Sequence, residues 1–184
     1  RHTMAREDIF RAIDRFSQEA LDALSPEALL ASLVARIVEA SPSADAALGL
    51  LRGPGGLARA AATGLGAALT PWLEGRIQAL YAEGALLALR APGLERRIGE
   101  DVLAEAGFGS LTAEPIVDAQ ELYGVVVIAS KKARFLSRGD RTVLSVLSGR
   151  AAAALSQQRL RASLDEERAR LNAVIDQLPV AVWI

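Results

Sequence analysis

Few residues in this chain have the chemistry to form a site, and those few stand apart. The one histidine is His2, in Arg1-His2-Thr3-Met4, and there is no cysteine. The missing thiols exclude disulfides, thiolate zinc sites, iron–sulfur clusters and cysteine nucleophiles together. Residues 1–3 read as an expression scar before Met4, which removes His2 from consideration and with it metal binding and histidine-dependent catalysis. The acids Glu100, Asp101, Glu114 and Asp118 have no histidine or lysine partner and no metal-ligand spacing. They read as solvated helix or turn positions. Gly53-Pro54-Gly55-Gly56 is followed by neither a lysine nor a helix, so it reads as a turn between strands rather than a phosphate loop. Neither a catalytic constellation nor a metal site is expected. Arg59, Arg76 and Arg90 could supply a cation to an acidic ligand.

Composition narrows the classes further. The 184 residues suffice for one domain with a core and some appended helix. Apolar residues make up 51% but aromatics only 4%. The core must therefore be built from Leu, Val, Ile and Ala, with Trp72, Tyr81, Phe108 and Tyr123 as scarce large pieces. The 36 alanines, and the 19 arginines among 21 basic residues, read as the bias of a GC-rich genome. A net charge of -1 offers no electrostatic search for nucleic acid or acidic lipid. The longest uncharged stretch, residues 60–73, is interrupted by Gly64, Gly66 and Pro71 and is short of the roughly 20 residues of a membrane span. A cytoplasmic protein is expected.

The elements that must position these residues follow from periodicity and punctuation. Ile9, Ile13, Phe16, Ala20 and Ala23 recur at spacings of four and three, which predicts an amphipathic helix over residues 5–24. Its stripe could cover its own domain or a partner helix, and a partner is favoured because a separately capped helix follows. That second helix opens at Ser25-Pro26-Glu27 and stops before Ser41-Pro42. Strands are predicted at 44–51 and 57–63, a helix from Thr70-Pro71 to near Gly84, and a short strand at 85–90. One charged helix over 94–106 comes next, then strands at 110–117 and 121–130. Val125-Val126-Val127-Ile128 is apolar at successive positions, so both its faces must be covered and the strand must be central.

From Ser137 to Leu178 the pattern is one helix, about 63 Å long at 1.5 Å per residue. Ser137-x-x-Asp140 is a capping-box-like start, and Pro179 stops it. Its first half has a broad apolar face carrying Leu144, Leu147, Ala151 and Leu155. Its second half is highly charged, with a thin stripe of Leu160, Leu164, Leu171, Val174 and Leu178. A stripe so narrow needs another helix.

Residues 110–157 then resemble a known family. Glu-Pro115-Ile116-Val117-Asp118, Leu122-Tyr123-Gly124-Val125, and Phe135-Leu-Ser137-x-x-Asp140 leading into a Leu/Ala helix are similar to the C-terminal half of a GAF domain. The resemblance spans about 25–157 and is strongest over 107–157. It implies an α+β sandwich with a central antiparallel sheet of about five strands, order 2-1-5-4-3, between helix layers. It also implies a pocket between the sheet and the middle helices, with Trp72, Ile77, Tyr81, Phe108, Arg59, Arg76 and Arg90 as its lining. The competing reading is that the aromatics simply fill a second core layer. Bilin attachment lacks its cysteine, haem its histidine, and the Asn-Lys signature of cyclic-nucleotide-binding members is missing, because the single asparagine is Asn172. No cofactor is expected; an unidentified small molecule is the ligand class left open.

Residues 171–184, through Leu178-Pro179-Val180-Ala181-Val182-Trp183-Ile184, resemble the start of a PAS domain cut off in its first strand. The expected organisation is a scar at 1–3, a signalling helix at 4–24, the GAF-like domain at 25–157, a coiled-coil connector at 158–178 and the PAS-like start at 179–184. The resemblance implies a sensory module of a bacterial protein, most often a sensor histidine kinase, with a PAS and an output domain downstream. Homodimerisation is expected through Ile9, Ile13, Phe16, Leu160, Leu164, Leu171, Val174 and Leu178. The alternatives are a structural dimerisation spacer without a ligand, and the effector domain of a transcription regulator.

Overall fold

The computed structural model describes residues 6–84, 94–133 and 138–178. The elements in chain order are α1 (Arg6–Asp22), α2 (Pro26–Ala40), β1 (Ala46–Gly53), β2 (Gly56–Thr63) and α3 (Leu69–Ala82). They continue with α4 (Leu94–Ile98), α5 (Glu100–Glu105), β3 (Ser110–Asp118), β4 (Glu121–Ser130) and α6 (Arg138–Gln177). Ser25 caps α2 as its sequence requires, its hydroxyl accepting from the Ala28 amide at 3.1 Å with Pro26 in the first turn.

The strands form one antiparallel sheet of order β2-β1-β4-β3. Four strands are present among the described residues, where about five were expected. The fifth, at 85–90, falls outside the described residues, as does Arg90. The four that are present keep their expected sequence of neighbours. β4 is central, pairing Val126 with Gly49 of β1 on one side and with Glu114 of β3 on the other. Gly124 is needed for that pairing, because a Cβ there would lie 2.3 Å from the Leu50 carbonyl oxygen.

Successive residues of β4 enter two different cores. Val126 and Ile128 join Leu29, Leu33, Ile37, Leu144 and Leu147 under α2 and α6. Val125 and Val127 join Leu48, Leu50, Leu73, Leu94 and Ile98 under α3, α4 and α5. Helices thus cover both faces, and each enclosed leucine contributes about 2 kcal/mol through removal from water.

The single helix expected over 94–106 is instead two short ones. They break at Gly99, whose φ of 130° leaves the helical region. The Trp72 ring lies beside this point, 3.4 Å from the ideal Cβ position, an ordinary contact distance. At the other end of the sandwich, Ser41 Oγ donates to Asp140 Oδ1 at 2.8 Å, and both residues are buried. This bond ties the end of α2 to the first turn of α6. Asp45 Oδ2 accepts from the Lys131 amide at 2.7 Å and so fastens the chain entering β1 to the end of β4.

Candidate functional site

Trp72, Ile77 and Tyr81 come from α3, and Phe108 from the turn before β3. The fold brings all four to the second core. Ile77 and Phe108 lie within the cluster, and Trp72 and Tyr81 pack against its edge. The arginines go elsewhere. Arg76 stacks its guanidinium over Trp72 at 5.8 Å from the ring centroid. Arg59 turns to Glu74, 3.9 Å away, and its amide donates to the same carboxylate at 3.2 Å. With Gln78 Oε1 accepting from the Leu57 amide at 2.6 Å, α3 thus caps the outer edge of β2. That use of Glu74 and Gln78 protects an edge strand from pairing with another chain.

The acids of the sequence are dispersed. Glu100 pairs with Arg96 at 3.3 Å on the surface, and Glu114 and Asp118 lie on β3. No three histidine, aspartate or glutamate side chains converge on a metal-sized space among the described residues. Nor is any described helix long and apolar enough to cross a membrane.

The two end helices have more to offer. On α1, the stripe assigned to a partner faces its own chain instead. Phe16 is 0% exposed between α2 and α6, and Ile9, Ile13, Ala20 and Ala23 pack around it. Charges reinforce this docking, with Arg36 reaching Glu19 at 3.3 Å and Arg15 reaching Glu39 at 3.4 Å. Ile9, Ile13 and Phe16 are therefore occupied within the chain and do not present a seam to a second copy. A different face of α1 is open, with Phe10 67% and Leu21 75% exposed, and Leu24 in the turn that follows is 100% exposed. These three were missed because the inner stripe accounts for the helix by itself. The spacing of eleven residues between Phe10 and Leu21, about three helical turns, is the signal that could have revealed their shared face.

On α6 the apolar stripe of the second half is uncovered within the chain. Leu160, Leu164, Leu171, Val174 and Leu178 are 53–62% exposed, and Ile175, not singled out from the sequence, joins them at 62%. The same heptad spacing places Glu167 between Leu164 and Leu171 and, continued toward the N-terminus, passes through Val146, Arg150, Ala153 and Gln157, which also face outward, and Val143, which is committed to the core. Between α1 and α6 runs a groove of about 220 Å³ lined by Ala20, Leu21, Ala23, Ala153, Ala154 and Gln157, among others.

Comparison with known proteins agrees with this architecture. The family model of the GAF domain matches residues 14–155. No protein with a curated description matches the chain. Among solved structures, the GAF domain of a phosphoenolpyruvate-protein phosphotransferase from Coxiella burnetii superposes with a TM-score of 0.64 at 20% identity, over 85% of this chain and 98% of that one. The GAF domain of the potassium sensor histidine kinase of Escherichia coli gives 0.59 at 19% identity, over 84% and 99%. A bacteriophytochrome from the photosynthetic bacterium R. palustris gives 0.68 at 10% identity, over 96% of this chain but 42% of that one. At such identities these likenesses speak for the fold, while the family model covers well over half the chain. The chain belongs to the GAF domain family.

Proposed function

We propose that this chain is the sensory or regulatory module of a multidomain bacterial signal-transduction protein, of the sensor histidine kinase kind. It works in the cytoplasm as a parallel homodimer and has no catalytic activity of its own. The observation that carries the reading is the division of α6. Leu144, Leu147, Ala151 and Leu155 lie in the core beneath the sheet. The same helix then continues through 22 residues, 156–177, with an exposed apolar stripe. A displacement of the sandwich is thereby delivered along a rigid rod to whatever follows, which on the resemblance of 171–184 is a PAS domain. Residues 179–184 lie outside the described residues.

Spin labels test the orientation. The chain has no cysteine, so Gln177→Cys places one label near the end of α6. In a parallel pair, with helix axes about 10 Å apart, the labels should lie within roughly 25 Å of each other. An antiparallel pair would separate them by tens of ångströms, because a 40-residue helix is about 60 Å long. That result would end the relay model.

Within this reading the input is a neighbouring domain or an unidentified small molecule rather than a chromophore or a metal. The dimerisation spacer without a ligand gains support from one observation: Ile77 and Phe108 are consumed by the second core. Both versions expect elemental analysis without stoichiometric metal and a visible spectrum without a band. A bound haem or bilin would overturn them.

A further inference from the structure

Two consecutive side chains hold α6 where it leaves the sandwich. Gln158 Nε2 donates to the Ala23 carbonyl, just after α1, at 3.0 Å, and Arg159 donates to Glu121 at the start of β4. Leu155, one turn earlier, is the last residue of α6 in the core. Among the described residues, no side chain of α6 beyond Arg159 bonds to the sandwich. Leu155, Ser156, Ala162 and Ser163 occupy the positions three and four residues away on the helix, so Arg159 has no acid of its own element to pair with. Its partner must come from elsewhere in the fold.

That partner is a meeting point of three elements. Glu121 Oε1 takes Arg159 and lies 3.9 Å from Arg52 Nη1 at the end of β1, while Tyr123 Oη donates to Glu121 Oε2 at 3.3 Å. Arg52 also donates to the Leu122 carbonyl at 3.3 Å, and Tyr123 packs against the first core. An isolated exposed ion pair contributes little, but here one carboxylate is fixed by donors from β1, β4 and α6 together.

The turn that presents Glu121 is strained. Asp118 pairs with Glu121, so Ala119 and Gln120 alone reverse the chain, with φ of 46° and 70°. A two-residue turn with both φ positive suits Asn-Gly, and these two are the only non-glycine residues of positive φ among the described residues. A register shift between Ile116 and Val117 interrupts the pairing just behind the turn. A strained turn persists where its surroundings hold it, and the contacts beside this one are those of Glu121.

We propose that the β3–β4 hairpin is a latch on the exit of α6. With Glu121 engaged, Arg159 is held to the end of the sheet and the turn keeps its strained form. With Glu121 released, the turn relaxes and Gln158 alone holds the exit. A displacement of β1 or β4 thereby reaches the connector at Arg159 as well as through the buried face of residues 144–155. The latch rests on the relay reading and names the contact that a movement of the sheet makes or breaks.

Amide hydrogen exchange of the full chain tests it. Arg159→Ala should speed exchange at residues 118–122 by about threefold or more, although it lies 38 residues from Glu121 and alanine favours the helix in which it sits. Arg161→Ala, the neighbouring cation, should leave the hairpin unchanged. Glu121→Gln should in turn speed exchange over residues 156–162 of α6, and adding it to Arg159→Ala should change little there, because both break one contact. Ala119→Asn with Gln120→Gly relieves the turn, so it should return the hairpin of the Arg159→Ala variant toward wild-type exchange. Unchanged exchange at 118–122 in Arg159→Ala, or an equal increase in Arg161→Ala, refutes the latch and leaves a relay through the buried face standing. An antiparallel pair of labels at Gln177→Cys, read independently of exchange, removes the relay and the latch with it.

Discussion

Val126→Asp should lower the melting temperature by more than about 10 °C, or leave the chain unfolded. Val126 is 0% exposed, on the strand that has a neighbour on either side and helices over both faces. A carboxylate at this position cannot reach water. It would also stand opposite Glu114, the cross-strand partner of Val126 on β3, so a second negative charge would be added beside the first. Burying a polar group without a partner costs on the order of 4 kcal/mol, a large share of the roughly 5–15 kcal/mol that stabilises an ordinary domain. For a domain of this size, each kcal/mol moves the midpoint by about 2–4 °C. Val126→Thr keeps the shape and adds one hydroxyl, so it should fall between the wild type and the aspartate. An aspartate variant melting within about 3 °C of the wild type would mean that β4 is not enclosed on both faces.

That prediction could be written from the sequence because four consecutive apolar residues leave a strand little choice. Alternation would have allowed one wet face, and Val125–Ile128 has none. The Ser25-Pro26-Glu27 start of α2 was equally legible, since three separate requirements of a helix N-terminus coincide in three residues. Gly99 was harder. Residues 94–106 have a continuous helical pattern of charge and apolar spacing, and one glycine in such a run is compatible with an unbroken helix. The break is made by the backbone of Gly99 itself, whose φ of 130° lies outside the helical region and is open to glycine.

The α1 stripe shows a limit of a different kind. Ile9, Ile13 and Phe16 announced a covered face, and they are covered. Periodicity does not say what does the covering, and here it is α2 and α6 of the same chain. Once that face was assigned to a partner, Phe10, Leu21 and Leu24 looked like scattered surface residues. Of the three, Leu21 lines the groove beside α6, a fact of three dimensions that periodicity does not carry. The pocket lining met the same obstacle: aromatic content identified Trp72, Tyr81 and Phe108 as notable without distinguishing a wall from a filling.

The variant carrying Leu164→Lys and Leu171→Lys should run as a monomer. The two leucines are seven residues apart, hence on one line along α6, 60% and 54% exposed within the chain. In a parallel pair each faces its own copy across the two-fold axis. Completing the burial of four such leucines contributes about 1 kcal/mol each, or about 4 kcal/mol in all. Replacing them forfeits that and sets like charges face to face, so the dissociation constant should rise at least about a thousandfold. Arg150, Gln157 and Glu167 already interrupt the seam, leaving little reserve to absorb the loss. The sheet and the core half of α6 should survive, since neither leucine touches them. The end of α6 should lose helix, because an isolated segment of about 20 residues is marginal in water. Circular dichroism would then show reduced helicity with the strand signal intact, alongside a halved mass in light scattering. A double variant that remains dimeric would place the contact elsewhere on the molecule. Full helicity in a monomer would show that the rod stands without a partner, and a relay by paired helices would no longer follow from its exposed stripe.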